Sequence, residues 1–203
     1  MRDNIMQTQG LFKLIATLLL SLSLATTAVA EDKFKDVEIK AIPVAAGIYM
    51  LTGQGGNIGV STGRDGVFLI DDQFAPLTKK ITAAIAALSD QPVRFLLNTH
   101  WHPDHSGGNE NMGNAGTVIV AHSNVRKRLA VDNFIEMFDM EAPATDTAGL
   151  PVITFDDSLS FHLNEDEIHI SHVDNAHTDG DSIVQFKVAN VMHLGDIYFA
   201  GMY

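Results

Sequence analysis

The sequence predicts a mixed α/β (α+β) domain, and three observations lead there. Short apolar runs broken by glycine recur at 47–51, 57–61 and 67–71, with Gly63-Arg64-Asp65-Gly66 as a turn between the last two. Such runs are the pattern of antiparallel strands. Helical spacing follows over 76–88, where Leu77, Ile81, Ala84, Ile85 and Leu88 share one face and Pro76 suits a first turn. Behind Pro92, residues 93–97 form a continuous apolar run, as expected of a strand covered on both faces.

The rest of the chain extends this pattern. A strand is expected at 117–121 and a helix over 124–138. A polar link containing proline and threonine follows at 141–151, placed to form a loop over a site. Residues 152–155, 159–163, 167–173, 182–188 and 191–194 again read as strands. With 203 residues, of which 46% are apolar, the chain has the composition of a globular domain and not of a disordered one.

Residues 1–30 read as a secretory signal and are set apart from the domain expected over 31–203. Arg2 and Lys13 supply positive charge, 14–24 is apolar, and Ala28-Val29-Ala30 is a small-residue cleavage pattern before Glu31. The apolar stretch falls short of the roughly 20 residues that span a bilayer, so no stable membrane anchor is expected after cleavage. A periplasmic or secreted protein follows. Export permits disulfides, yet the sequence has no cysteine, so metal ligands would have to be nitrogen or oxygen. The net charge of −12 repels phosphate backbones and the sequence shows no basic patch, so no nucleic-acid partner is expected.

The chemistry concentrates where the buried run ends. The segment Asn98-Thr99-His100-Trp101-His102-Pro103-Asp104-His105-Ser106-Gly107-Gly108-Asn109 carries His100, His102, Asp104 and His105 within a few positions. His100 and His102, two apart at a strand end, are expected to project to one side and meet one ion. Asp104 and His105 lie just past a proline that restricts the backbone, so they can point elsewhere and hold a second ion.

His-x-His-x-Asp-His after a buried strand resembles the signature of the metallo-β-lactamase superfamily. Three further stretches agree. Gly66-Val67-Phe68-Leu69-Ile70-Asp71-Asp72 is similar to the family's early strand ending in aspartate. Ala176-His177-Thr178-Asp179-Gly180-Asp181-Ser182 is similar to its third-histidine motif, and Leu194-Gly195-Asp196 to its Gly-Asp motif. The resemblance implies an αββα sandwich. It also implies that His100, His102 and His177 hold a first metal, that Asp104 and His105 contribute to a second, and that Asp196 bridges the two.

The metals implied are zinc, up to two ions, and the partner implied is a small-molecule substrate. The activity implied is a zinc-dependent hydrolase that uses metal-bound hydroxide to open an amide, lactam, lactone or (thio)ester bond, with Asp104 as the catalytic residue that orients the hydroxide. Cysteine-using lactamases are excluded, and Gly195-Asp196 looks more like the broader hydrolase branches, including the glyoxalase-like thioesterases. The alternatives are an iron-dependent oxidoreductase of the mono-iron dioxygenase type and a non-catalytic metal-binding fragment. Asp71, more than Asp72, is expected to order the metal region from behind, and Gln73 and Phe74 to reach toward substrate. His122, His162, His169, His172 and His193 are expected to have no metal role.

The family's second half is longer than the stretch that precedes Tyr203, so the second half of the sandwich is expected to be incomplete, its C-terminal part missing. Uncovered apolar faces and strand edges would then follow.

Overall fold

The computed structural model describes residues 33–136 and 139–199. The chain divides into two units, Met1–Val37 and Glu38–Tyr203, and the second unit holds the sheets and the site. The expected secretory signal, 1–30, lies outside the described residues. Among the described residues no helix is long and apolar enough to cross a membrane.

The second unit opens with four strands, β1 (Lys40–Ala45), β2 (Ile48–Thr52), β3 (Ile58–Ser61) and β4 (Val67–Ile70). Next come α1 (Thr78–Ala86), β5 (Val93–Asn98), α2 (Pro103–Ser106) and α3 (Asn109–Asn114). They lead to β6 (Val118–His122), α4 (Ser123–Leu129), a small hairpin of β7 (Asn133–Ile135) and β8 (Met140–Ala142), and β9 (Ile153–Phe155). The last strands are β10 (Ser158–Leu163), β11 (Asp166–His172), β12 (Ser182–Phe186) and β13 (Val191–His193).

Two main sheets result. The first has the order β1-β2-β3-β4-β5-β6-β9 and the second β10-β11-β12-β13. In the first, β1 to β4 pair antiparallel, whereas β4, β5, β6 and β9 are parallel. The crossovers between the parallel strands advance in one direction, and right-handed connections therefore place their helices on one face of the sheet. Burial agrees with this. Phe68, Ile70, Leu97 and Val120 pack with Ile168, Ile170, Val184 and Phe186 of the second sheet. The alternate residue Ala121 instead meets Val125 and Leu129 of α4. Each fully buried Leu, Ile, Val or Phe in the layer between the sheets contributes about 1.5–3 kcal/mol.

The helix expected over 124–138 stops at Leu129. Asn133 Nδ2 donates to the carbonyls of Arg128 and Val131, closing the helix end, and Val131 is exposed with no core to cover it. The expected link 141–151 begins inside β8 and contains a 3₁₀ turn, Thr147–Gly149. β1, α2 and α3 do not show in the apolar pattern of the sequence. β1 is almost wholly exposed, and the two helices span a single turn or little more, too short for periodicity to mark them.

The outward face of the second sheet mixes polar and apolar residues, with Ile183 among them. Its positions alternate with the core residues and carry Ser160, His162, Glu167, His169 and Gln185, with Met192 at the edge strand.

Candidate metal centre

The site forms beyond the carboxyl ends of β4 and β5, where a crevice opens between the sheets. Asp71 follows β4 directly and adopts φ 62, with Gln73 at φ 56, so the chain turns sharply there in the left-handed region. β5 ends at Asn98, so His100 and His102 stand on the loop after it and not on the strand end itself. His102 precedes α2 with extended backbone, and Pro103 occupies the first helical position, which suits a residue lacking an N–H. Strand alternation therefore does not align His100 with His102. The loop does.

The structure brings the predicted residues together in two groups. His100, His102 and His177 place ligand atoms within 4.8 Å of one another, and so do His100, His105 and Asp196. His177 lies between β11 and β12, and Asp196 follows β13, so both groups combine loops of the two sheets. Asp104 stands outside both groups, its Oδ2 3.6 Å from His105 Nε2 at the wall of an open cleft. Met50, Tyr198 and Phe199 line the same cleft.

Asp71 organises two of these imidazoles from behind. Its carboxylate accepts from Thr99 N and Thr99 Oγ1, each at 2.7 Å, and from His105 Nδ1 at 2.7 Å. Because Thr99 Oγ1 spends its proton on Asp71, it accepts from His100 Nδ1 at 3.1 Å. Both histidines thus carry their proton on Nδ1 and turn Nε2 toward the site. His100 Nε2 is buried without a hydrogen-bond partner, whereas His105 Nε2 faces a carboxylate. Asp196 approaches both, with Oδ1 3.0 Å from His105 Nε2 and Oδ2 3.9 Å from His100 Nε2. Buried lone pairs are rarely left unsatisfied, and imidazole nitrogens converging with a carboxylate are a donor set that suits zinc. The residues present fit the metal that the sequence implies.

Electrostatics follow the same geometry. Burial, reinforced by His105 and His102, holds His100 far below the ordinary histidine range, so it is neutral and able to coordinate. Burial and His177 lower His102 as well. Burial also acts to lower His105, but Asp71 and Asp196 prevail and raise it to about 10. In the metal-free protein His105 therefore holds an extra proton. A raised pKa stabilises the metal-free fold fully below the ordinary value near 6.5, and that stabilisation is lost as pH climbs through about 10. A metal at His105 Nε2 must displace this proton. At pH 8, calorimetry of the second zinc in buffers of different ionisation enthalpy is expected to show release of about one proton. Heats that do not depend on the buffer would mean that His105 is already neutral.

Burial raises Asp72 well above the carboxylate range, and its Oδ1 accepts from Gly108 N while Oδ2 has no partner. The expectation that Asp71 outranks Asp72 behind the metal region agrees with these contacts. Gln73 differs from expectation. It is fully buried and donates from Nε2 to Gly56 O at 2.6 Å, which holds a loop, while its Oε1 is buried without a hydrogen-bond partner.

That loop, between β2 and β3, is a functional element that sequence reasoning missed. Gly56 N donates to Asp104 O at 3.3 Å, and a Cβ at Gly56 would collide with the His105 ring at Cε1. Only a glycine lets the backbone lie against that imidazole. Gly56→Ala is expected to push His105 aside and weaken the second metal roughly 10- to 100-fold, as loss of a supporting contact does. Zinc titration checks this, and an unchanged second affinity would refute it. The signal in the sequence is the run Gly53-Gln54-Gly55-Gly56, denser in glycine than a hairpin of this length requires. Gly195, at φ 52, plays a similar part. A Cβ there would lie 2.9 Å from Thr99 Oγ1, so its absence lets Asp196 come over His100.

Four of the remaining histidines find other partners. His122 and His172 stack with centroids 3.9 Å apart, His122 Nε2 pairs with Asp156 O, and His172 Nδ1 pairs with Asp181 O. His193 Nε2 donates to Asn57 O, and His169 Nδ1 meets Ser160 Oγ.

Comparison with known proteins agrees with this fold. Residues 51–202 match the metallo-β-lactamase superfamily. The chain belongs to that superfamily. Over 80 residues it is 30% identical to a hydroxyacylglutathione hydrolase of Erythrobacter litoralis, a stretch that covers 36% of this chain and 30% of that enzyme. Among solved structures, it resembles a metallo-β-lactamase with a HARLDQ motif from Cronobacter sakazakii, with a TM-score of 0.67 and 16% identity over 85% of this chain and 68% of that one. It also resembles a subclass B3 metallo-β-lactamase of Bradyrhizobium japonicum, with a TM-score of 0.61 and 20% identity over 73% of this chain and 57% of that one. At such identities the structural likeness speaks for the fold alone.

Proposed function

We propose that the protein is an exported zinc-dependent hydrolase that opens an amide, lactam, lactone or (thio)ester bond. The observation that carries this reading is the convergence on the Asp196 carboxylate of two imidazoles, His100, whose Nε2 is buried without a hydrogen-bond partner, and His105, whose Nε2 lies 3.0 Å from Asp196 Oδ1. His100, His102 and His177 would hold a first zinc, and His105 with Asp196 and Asp104 a second. Zinc, when bound, supplies a Lewis acid and lowers the pKa of water to about 7, which makes a nucleophile available at neutral pH.

The chain's own residues do the rest. Three neutral imidazoles leave a fourth position open for water or substrate. Asp104, at the cleft wall, would accept a hydrogen bond from the attacking water and orient it. Asp71 keeps His105 and, through Thr99, His100 in the tautomer that presents Nε2. Met50, Tyr198 and Phe199 would pack against the apolar part of the substrate. Likeness to a hydroxyacylglutathione hydrolase supports a thioester among the candidate bonds. Export rests on residues 1–30, and a mature chain still beginning at Met1 would remove that part of the reading.

The experiment is a screen of zinc-loaded protein against lactams, lactones and thioesters, with Asp104→Asn in parallel. Turnover in the variant is expected to fall by roughly 10²-fold or more, with the first zinc retained. Undiminished turnover would remove Asp104 from the mechanism, and stoichiometric iron with oxygen consumption would overturn the zinc hydrolase.

A further inference from the structure

The first group takes His100 and His102 from a loop of the first sheet and His177 from a loop of the second. The distance between those loops decides whether three imidazoles can meet one ion. Near His177 the loop is shaped from within. The buried Asp181 carboxylate accepts from Thr178 N and Oγ1, and its carbonyl accepts from Val173 N. Ser182 N donates to Thr99 O at 2.9 Å, one tie back to the first sheet.

α4 supplies a second tie, farther from the ligands. Asn124 Nδ2 donates to Asp179 O at 2.7 Å. From one turn further along the same face, the Arg128 guanidinium grips the Asp179 carboxylate, Nη2 at 2.9 Å and Nε at 3.2 Å from Oδ2. Two side chains of one helix thus hold the backbone and the side chain of a single residue two places past His177. Neither belongs to either ligand group. The Arg128–Asp179 pair is about half exposed, 48% and 44%, and pairs of that exposure contribute little to folding. A two-pronged grip is instead a geometric restraint, because the planar guanidinium fixes orientation as well as distance.

We propose that Arg128 and Asn124 are positioning residues for His177, setting the gap across which the first zinc is held. This rests on the reading of His100, His102 and His177 as a zinc site. The test uses the full chain with Arg128→Gln, Asp179→Asn and Asn124→Ala. Zinc affinity is measured by competition with a chromophoric chelator, and the visible spectrum of the cobalt-substituted protein reports coordination at the first site. In Arg128→Gln and Asp179→Asn, first-site affinity is expected to fall about 10-fold, toward the lower end of what loss of an outer partner costs, and the cobalt bands to shift. The melting temperature of the metal-free protein should move by only a few degrees. The exchanged pair, Arg128→Asp with Asp179→Arg, should recover part of the affinity.

First-site affinity and a cobalt spectrum both unchanged in Arg128→Gln and Asp179→Asn would overturn the proposal. If either variant fails to fold, Asn124→Ala, which loses the bond to Asp179 O and an exposed bond from Lys127 Nζ, decides. A several-fold loss of first-site zinc supports the restraint, and wild-type affinity overturns it. A wild-type chain that takes up no zinc would overturn the three-histidine site itself and the restraint with it, a result distinct from failure of the variants alone.

Discussion

Asp71→Ala is expected to lower the stability of the metal-free fold by about 3–5 kcal/mol and to abolish tight binding of the second zinc. The carboxylate is fully buried, and three donors depend on it: Thr99 N, Thr99 Oγ1 and the raised, protonated His105. Removing it leaves a buried imidazolium short of its main counter-charge and two orphaned donors, the situation in which breaking a buried pair is most costly. His105 would respond by losing its proton, and its ring would lose the partner that aims Nε2. His100 would lose the Thr99 orientation that depends on the same carboxylate. Denaturant unfolding and zinc titration measure the two effects. A loss below about 1 kcal/mol with both zinc ions retained would show that Asp71 does not organise the site.

His102→Ala is expected to remove most of the first zinc and most of the turnover while sparing the fold. Its ring lies 4.8 Å from the rings of His100 and His177 and 4.6 Å from that of Trp101, and no side-chain hydrogen bond of His102 is found among the described residues. Two imidazoles cannot complete a three-nitrogen site, so affinity should fall by more than the roughly 10- to 100-fold that loss of an outer partner costs. Metal content after dialysis and the rate against the best substrate of the screen are the measurements. Full first-site zinc and full rate in the variant would take His102 out of the centre. The contrast between the variants matters, since Asp71→Ala should damage folding and metal together, and His102→Ala the metal alone.

Much of the candidate site is legible because the pattern is local. His100, His102, Asp104 and His105 occupy a few consecutive positions behind an apolar run, and that run becomes β5. The strand-like segments between 153 and 193 form where the sequence places them, because alternation of buried and exposed residues is written into the side chains themselves. Helix length is legible only where a buried face continues. The helix expected over 124–138 ends at Leu129 because Asn133 captures its last carbonyls, a contact that depends on one side chain and not on periodicity. The alternation along the strands of the second sheet is equally present in the sequence, but its meaning depends on which face turns inward.

By itself the sequence determined the donor chemistry: nitrogen and oxygen ligands only, because there is no cysteine, clustered after a buried strand. Tertiary structure alone decided how those donors converge. Asp71 meets His105 across 34 residues, Gly56 lies against the same imidazole from another loop, and α4 reaches Asp179 across 51. The physical reason is that ligand type is a property of each side chain, whereas a metal centre needs several side chains at one point. That point exists only after the two sheets have packed on their shared apolar layer.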